Sequence, residues 1–197
     1  MRQLIIVRKD LDMSPGKLSA QVSHASMAFI SNLIQRNTRR VCDNGFVCRD
    51  EDDKMVLYKR QDLYELSKDA FDRGDTLFFA DEDEHGRFHM AEKPKVHYKT
   101  SFVIDNDIYT EWFKGIFTKT VCEAKNRNQL MKAVTMAEDL GLKEGEDFFL
   151  IKDSCLTELT PEEVDENGVG RTLTCIGFKP LPDDIAHSIS KKYQLYK

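Results

Sequence analysis

The feature that most constrains this chain is a change of period near its start. "QLIIVR" (residues 3–8) is a short apolar, β-branched run ending in charge, which is the pattern of a buried strand. A few residues on, Ser14-Pro15-Gly16 suits the opening of a helix, with Ser14 as N-cap and Pro15 at the first helical position. From Lys17 to about Gln35, Leu18, Val22, Ala25, Phe29 and Leu33 then recur at helical spacing and define one apolar face. A buried strand feeding a long amphipathic helix commits the chain to a layered α/β arrangement.

The rest of the chain repeats that alternation. "DIYTEWF" reads as a short helix and "KTVCEA" as a strand. "NRNQLMKAVTMAEDLGL" reads as an amphipathic helix with Asn126 as cap and Gly141 as stop. "DFFLIKD" and "GRTLTCIGFKPL" read as strands around the loop "LTPEEVDENG", and "PDDIAHSISKKY" as a closing helix with Pro182 near its start. The expected fold is a three-layer α/β/α sandwich around a small four-stranded mixed sheet. Residues 37–99 differ in character: they are charge-rich and acidic, with a predicted helix "QDLYELSKDAFDR" and short strands "TLFFA" and "RFHMAE". Gly, Ser and Pro are sparse there, so the segment reads as an inserted subdomain and not as a linker. The expected division is residues 1–36 with 100–197 as one domain and 37–99 as the insertion.

Composition excludes several classes. With 197 residues the chain can bury one substantial core, and its 41% hydrophobic and 32% charged residues are those of a globular protein. No apolar run reaches membrane-spanning length, and the apolar stretch at the N-terminus is too short for a secretory signal, so a cytoplasmic location is expected. Five scattered cysteines without a CxxC read as free thiols. His85, His89 and His97 with Cys42 and Cys48 match no standard zinc spacing, so no metal is expected. A net charge of -5 argues against indiscriminate nucleic-acid binding. Yet residues 1–40 hold seven Lys or Arg against Asp10 and Asp12, which leaves room for a local basic face through Arg2, Lys9, Lys17, Arg36, Arg39 or Arg40.

Gly16-Lys17 after a strand suggests phosphate, but a nucleotide-cradling loop needs Gly at 11 and a hydroxyl at 18, where Leu11 and Leu18 stand. The lysine needs another explanation. On the helix, Lys17, Gln21 and His24 fall at i, i+4 and i+7, one stripe at the positive end. A second polar group, "KDSCLTEL", ends a strand with Asp153 and follows it with Thr157, while Thr172 and Thr174 on the next strand could join them. A lysine, a carboxylate and hydroxyls converging would suit ester hydrolysis or phosphate recognition.

"IIVRKDLDMSPGKLSAQVSHA" resembles the signature V-V-R-x-D-L-x-M-x-x-G-K-x-A-A-Q-x-S-H-A of the second, archaeal–eukaryotic type of peptidyl-tRNA hydrolase. Arg8, Asp10, Leu11, Met13, Gly16, Lys17, Ala20, Gln21, Ser23, His24 and Ala25 stand in register. Downstream, Trp112 lies seven residues before Lys119 and "MAEDLGL" closes a helix. "LIKDSCLTEL" is similar to I-x-D-A-G-x-T-[QE], "RTLTCIG" to T-V-L-G-I-G, and "YQLYK" to the K-L-Y ending. The resemblance covers roughly residues 1–35 and 105–197.

It implies cofactor-free cleavage of the ester between a peptide and the terminal ribose of tRNA. Lys17 would polarise the substrate near the ester, and Asp153 would orient or activate water, with Thr157 and Thr172 positioning it. Gln21 and His24 would shape the mouth. Arg8 and Asp10 would either touch substrate or form a structural pair. The resemblance leaves a homodimer open. Two departures stand out: Ser154-Cys155 replaces Ala-Gly after the aspartate, and Ile116-Phe117 replaces Gly-Gln before the lysine. They and the insertion keep two rival functions in view, a non-enzymatic binding module on the same fold and a hydrolase of another acyl ester or of aminoacyl-tRNA.

Overall fold

The computed structural model describes residues 1–42, 45–49, 54–58, 78–90 and 96–197. The chain divides into two compact units, Met1–Arg36 with Phe102–Lys197, and Asn37–Ser101.

The first unit is built on a mixed sheet. Strand β1 (Arg2–Arg8) lies at its centre. It pairs in parallel with β8 (Lys119–Ala124) and antiparallel with the long β11 (Gly170–Leu181). Beyond β11 lie β9 (Phe148–Asp153) and the two-residue β10 (Glu163–Val164), and beyond β8 lies the two-residue β12 (Gln194–Leu195). Four strands therefore carry the sheet, as expected, with two short ones at its edges.

Strand alternation sends successive residues to opposite faces. Leu4 and Ile6 join Leu130, Ala133, Val134 and Ala137 of α3 (Arg127–Asp139) and Ala186 and Ile189 of α4 (Asp183–Ser190) in one core. Ile5 and Val7 join Ala25 of α1 (Pro15–Asn37) in the other, with Leu18 and Val22 packed against it. The four β1 residues are fully buried, so the sheet is covered on both faces and the sandwich has three layers. Asn126 caps α3, its side chain accepting from the Gln129 N–H at 3.0 Å, and Gly141 follows the helix with φ +80°.

Two local features were invisible in the periodicity. The helix α2 (Ile108–Ile116) is of π type and breaks at Gly115. Phe117 follows in the left-handed region, its ring 3.9 Å from that of Trp112. The other is a β-bulge in β11. Leu173 stands opposite Lys152 and Cys175 opposite Ile151, so Thr174 is an extra residue in the ladder.

Among its described residues the second unit has two antiparallel sheets. β2 (Thr38–Cys42) pairs with β7 (Val96–Thr100), so the chain leaves and returns along one two-stranded ribbon. β3 (Gly45–Arg49), β4 (Met55–Tyr58), β5 (Phe78–Glu82) and β6 (Phe88–Met90) form the other in the order β4-β3-β5-β6. "TLFFA" and "RFHMAE" thus contain strands, while the helix predicted for 61–73 lies outside the described residues. Among the described residues no helix is long and apolar enough to cross a membrane.

Candidate active site

Lys17 and Asp153 meet where two separate parts of the first unit converge. Lys17 is in the first turn of α1, just after the loop that leaves the C-terminal end of β1. Asp153 ends β9 and stands directly across from Thr172 of β11, near that same end of the sheet. Lys17 Nζ lies 2.7 Å from Asp153 Oδ2 and donates to Thr157 Oγ1 at 3.1 Å. A cation at the positive end of a helix is disfavoured; the carboxylate offsets this. Lys17 is 15% exposed and Asp153 8%, so water screens the pair weakly.

The rest of the carboxylate is also loaded. Gln21 Nε2 donates to Oδ2 at 2.8 Å and the Cys155 backbone N–H to Oδ1 at 2.8 Å. Burial pushes the Asp153 pKa up, but the Lys17 hydrogen bond, the Cys155 N–H, the Lys17 charge and Gln21 together hold it below the ordinary carboxylate value. So disposed, Asp153 is a poor proton acceptor and a good anchor for an ammonium or a water. Among the described residues Lys17 keeps one N–H beyond the two engaged. Thr157 accepts from Lys17, so its own hydroxyl proton stays available for donation. The site thus offers two adjacent donors beside a fixed anion.

A frame of hydrogen bonds holds these groups in place. Ser14 Oγ accepts from the Lys17 N–H at 3.3 Å, as an N-cap should. Glu158 Oε1 accepts from both the N–H and the hydroxyl of Ser14, at 3.0 and 3.1 Å, tying the 154–162 loop to the start of α1. Glu158 stands at the last position of the I-x-D-A-G-x-T-[QE] match, which by itself says nothing of this brace.

Several expected site residues turn out to belong to this frame. Thr172 is fully buried. Its hydroxyl donates to the Thr160 carbonyl at 2.6 Å and accepts from the Glu162 N–H and the Cys155 thiol, so nothing is left to position water. Arg8 is 3% exposed and all five of its N–H donors are engaged, by Asp10, Glu162 and the Leu173 carbonyl. Burial works against its charge, yet the bonds to Glu162 and Asp10 raise its pKa above the ordinary arginine value. Of the two readings for Arg8 and Asp10, the structural pair is the one the geometry carries. His24 is exposed and outside the cluster, whereas Gln21, read as part of the same polar stripe, is 2% exposed and inside it. Arg2 and Lys9, expected to extend a basic face, pair with Asp183 and Glu123.

The two departures now have places. Cys155 takes the left-handed φ of +54° and donates its N–H to Asp153, so the turn is formed despite the loss of glycine. Ile116-Phe117 precede Lys119, which pairs with Gln3 at the start of β1, the far end of the sheet from Lys17. Among the described residues no three His, Cys, Asp or Glu side chains gather as a metal site would require.

Open α/β sheets bind ligands beyond the carboxyl ends of their strands, which is where Lys17 of α1 and Asp153 of β9 meet. The profile of the peptidyl-tRNA hydrolase PTH2 family matches residues 1–86 and 54–196, two overlapping stretches that take in nearly the whole chain, and the chain belongs to that family. Among curated relatives, a peptidyl-tRNA hydrolase of Thermococcus sibiricus is 33% identical over 89 residues, 43% of this chain and 64% of the relative. One of Halobacterium salinarum is 38% identical over 72 residues, 36% of this chain and 59% of the relative. One of Thermococcus onnurineus is 30% identical over 89 residues, 43% of this chain and 64% of the relative. The matched stretches thus span somewhat less than two thirds of these relatives.

Proposed function

We propose that the protein hydrolyses the ester joining a peptide, or an N-blocked aminoacyl group, to the terminal ribose of tRNA. The observation that carries this reading is the Lys17–Asp153–Thr157 cluster in a chain of the PTH2 family. The free N–H of Lys17 and the hydroxyl of Thr157 meet the ester carbonyl and stabilise the oxyanion that forms as water adds to its carbon. Asp153 holds Lys17 and orients the water; its lowered pKa suits that role better than general base. The tetrahedral intermediate then collapses, the ribose oxygen leaving with a proton that water supplied.

In this reading residues 1–36 and 100–197 form the hydrolase domain, residues 37–99 are an insertion, and the reaction takes place in the cytoplasm on tRNA. The rival binding module loses much of its motive. Cys155 preserves the contact with Asp153, and Ile116-Phe117 lie away from the site.

The test is release of free tRNA from N-acetylaminoacyl-tRNA, with unblocked aminoacyl-tRNA in parallel. Turnover of the blocked ester is expected, reduced at least about 100-fold in Lys17→Ala and in Asp153→Ala. A well-folded wild type without turnover would reverse the conclusion in favour of the binding module. Sedimentation of the same preparation decides the homodimer.

A further inference from the structure

The β11 bulge puts two consecutive residues on the α1 side of the sheet, where regular alternation would send one to each side. Both touch Gln21. Thr174 Oγ1 donates to Gln21 Oε1 at 2.7 Å, and the Cys175 thiol donates to the Gln21 carbonyl at 3.4 Å. Thr174 is fully buried, and the other acceptors near its hydroxyl are the carbonyl of Ile151, opposite the bulge, at 3.0 Å and the Cys175 sulfur at 3.7 Å.

A glutamine amide has an accepting end and a donating end. Asp153 can only accept, so it requires Nε2. Oε1 is then turned into the sheet, where a bare carbonyl would be costly. The Thr174 hydroxyl removes that cost.

We propose that Thr174 is a positioning residue: the bulge aims its hydroxyl at Gln21 Oε1, which fixes the amide with Nε2 on Asp153 and so keeps the carboxylate trained on Lys17. Resting on the hydrolase reading for its catalytic half, this makes one chain of hydrogen bonds, Thr174 to Gln21 to Asp153, run from the strand interior to the reacting groups. Without the hydroxyl, Gln21 relieves its buried Oε1 by turning toward water, and Nε2 leaves the carboxylate. The groups facing Asp153 are then Lys17 from α1, the Cys155 N–H from the loop and, through Lys17, Thr157. Lys17 is the only charge among them.

The experiment uses the full chain labelled with ¹³C at the aspartate carboxyls, the Asp153 signal being assigned with Asp153→Asn. In Thr174→Val the Asp153 titration midpoint should rise by about half to one pH unit, the share of one hydrogen bond among the two or three that together lower a carboxyl by about two. Thr174→Ser, which keeps the hydroxyl, should titrate as wild type. In a Gln21→Leu background Thr174→Val should add nothing further. Thr174→Ala makes the same comparison should the valine disturb the strand.

With N-acetylaminoacyl-tRNA, kcat should fall about 3–10-fold in Thr174→Val with KM little changed, and recover in Thr174→Ser. A wild-type titration in Thr174→Val, a shift that persists in the Gln21→Leu background, or an unchanged kcat beside a shifted titration would each overturn the proposal. A wild type inert on tRNA would instead overturn the hydrolase reading, while the titrations would still decide whether Thr174 positions Asp153.

Discussion

Lys17 and Asp153 are coupled through their charges, and the coupling has a sign. The folded Asp153 pKa lies below the ordinary value, so its ionised form stabilises the native state. That stability is fully present above the unfolded pKa of about 3.9 and is lost as pH falls through the lower folded value. Lys17→Met should therefore reduce Tm most at neutral pH. The gap from wild type should close below about pH 4, which thermal unfolding across pH 3–7 would read. Arg8 is a different case: its planar fork fills five acceptor positions that an ammonium cannot reach together. Arg8→Lys should cost about 3 kcal/mol in urea unfolding, by leaving buried charge and a carbonyl partly unpaired. The sequence showed these residues as motif positions but not their directions. Arg8, Thr172 and Lys17 all stand in the motif, and only the structure separates the two whose donors and acceptors are spent on the loop from the one that meets Asp153 and Thr157.

Elements were more legible than contacts, because a period is written along the chain and a crossing is not. "KTVCEA" and "GRTLTCIGFKPL" are strands at the residues expected, and Asn126 and Gly141 bound α3 as read. The bulge escaped notice because Thr172 and Thr174 look like plain alternation; only the register with β9 reveals the extra residue. The burial of Gln21 was hidden for a related reason: the helix period set it in one stripe with Lys17 and His24, but its partners Asp153 and Thr174 come from strands more than a hundred residues away. The crossing of α1 over β11 depends on Gly177, where a Cβ would run into the backbone carbonyl of Ala25. Gly177→Ala should push α1 off the sheet, destabilise by about 2–3 kcal/mol in denaturant titration, and displace Lys17 enough to abolish turnover.

For the whole molecule, the composition changes over residues 37–99, and the second compact unit of the chain spans Asn37–Ser101. Its internal pairing was not legible, since β2 and β7 are separated by more than fifty residues. Thr38 and Thr100 face each other at the base of the ribbon, their hydroxyls 2.5 Å apart, and the Ser101 N–H meets the Asn37 carbonyl at 3.4 Å. The two ends to be rejoined are therefore adjacent. Replacing residues 38–100 with a short Gly-Ser turn should leave a cooperative unfolding transition and an unchanged Asp153 titration. A molten product would show that the first unit needs the second.

The same ribbon bears on the order of events during folding. β1 and β8 are parallel neighbours, but about 110 residues separate them, and bringing them together costs entropy that rises with the logarithm of the intervening length. If the ribbon zips first, it removes the insertion from that path and leaves less than half of it. The saving is roughly 0.7 kcal/mol, or about a threefold faster closure of the central sheet. The segment that adds most to the path between these strands then cancels most of the length it adds.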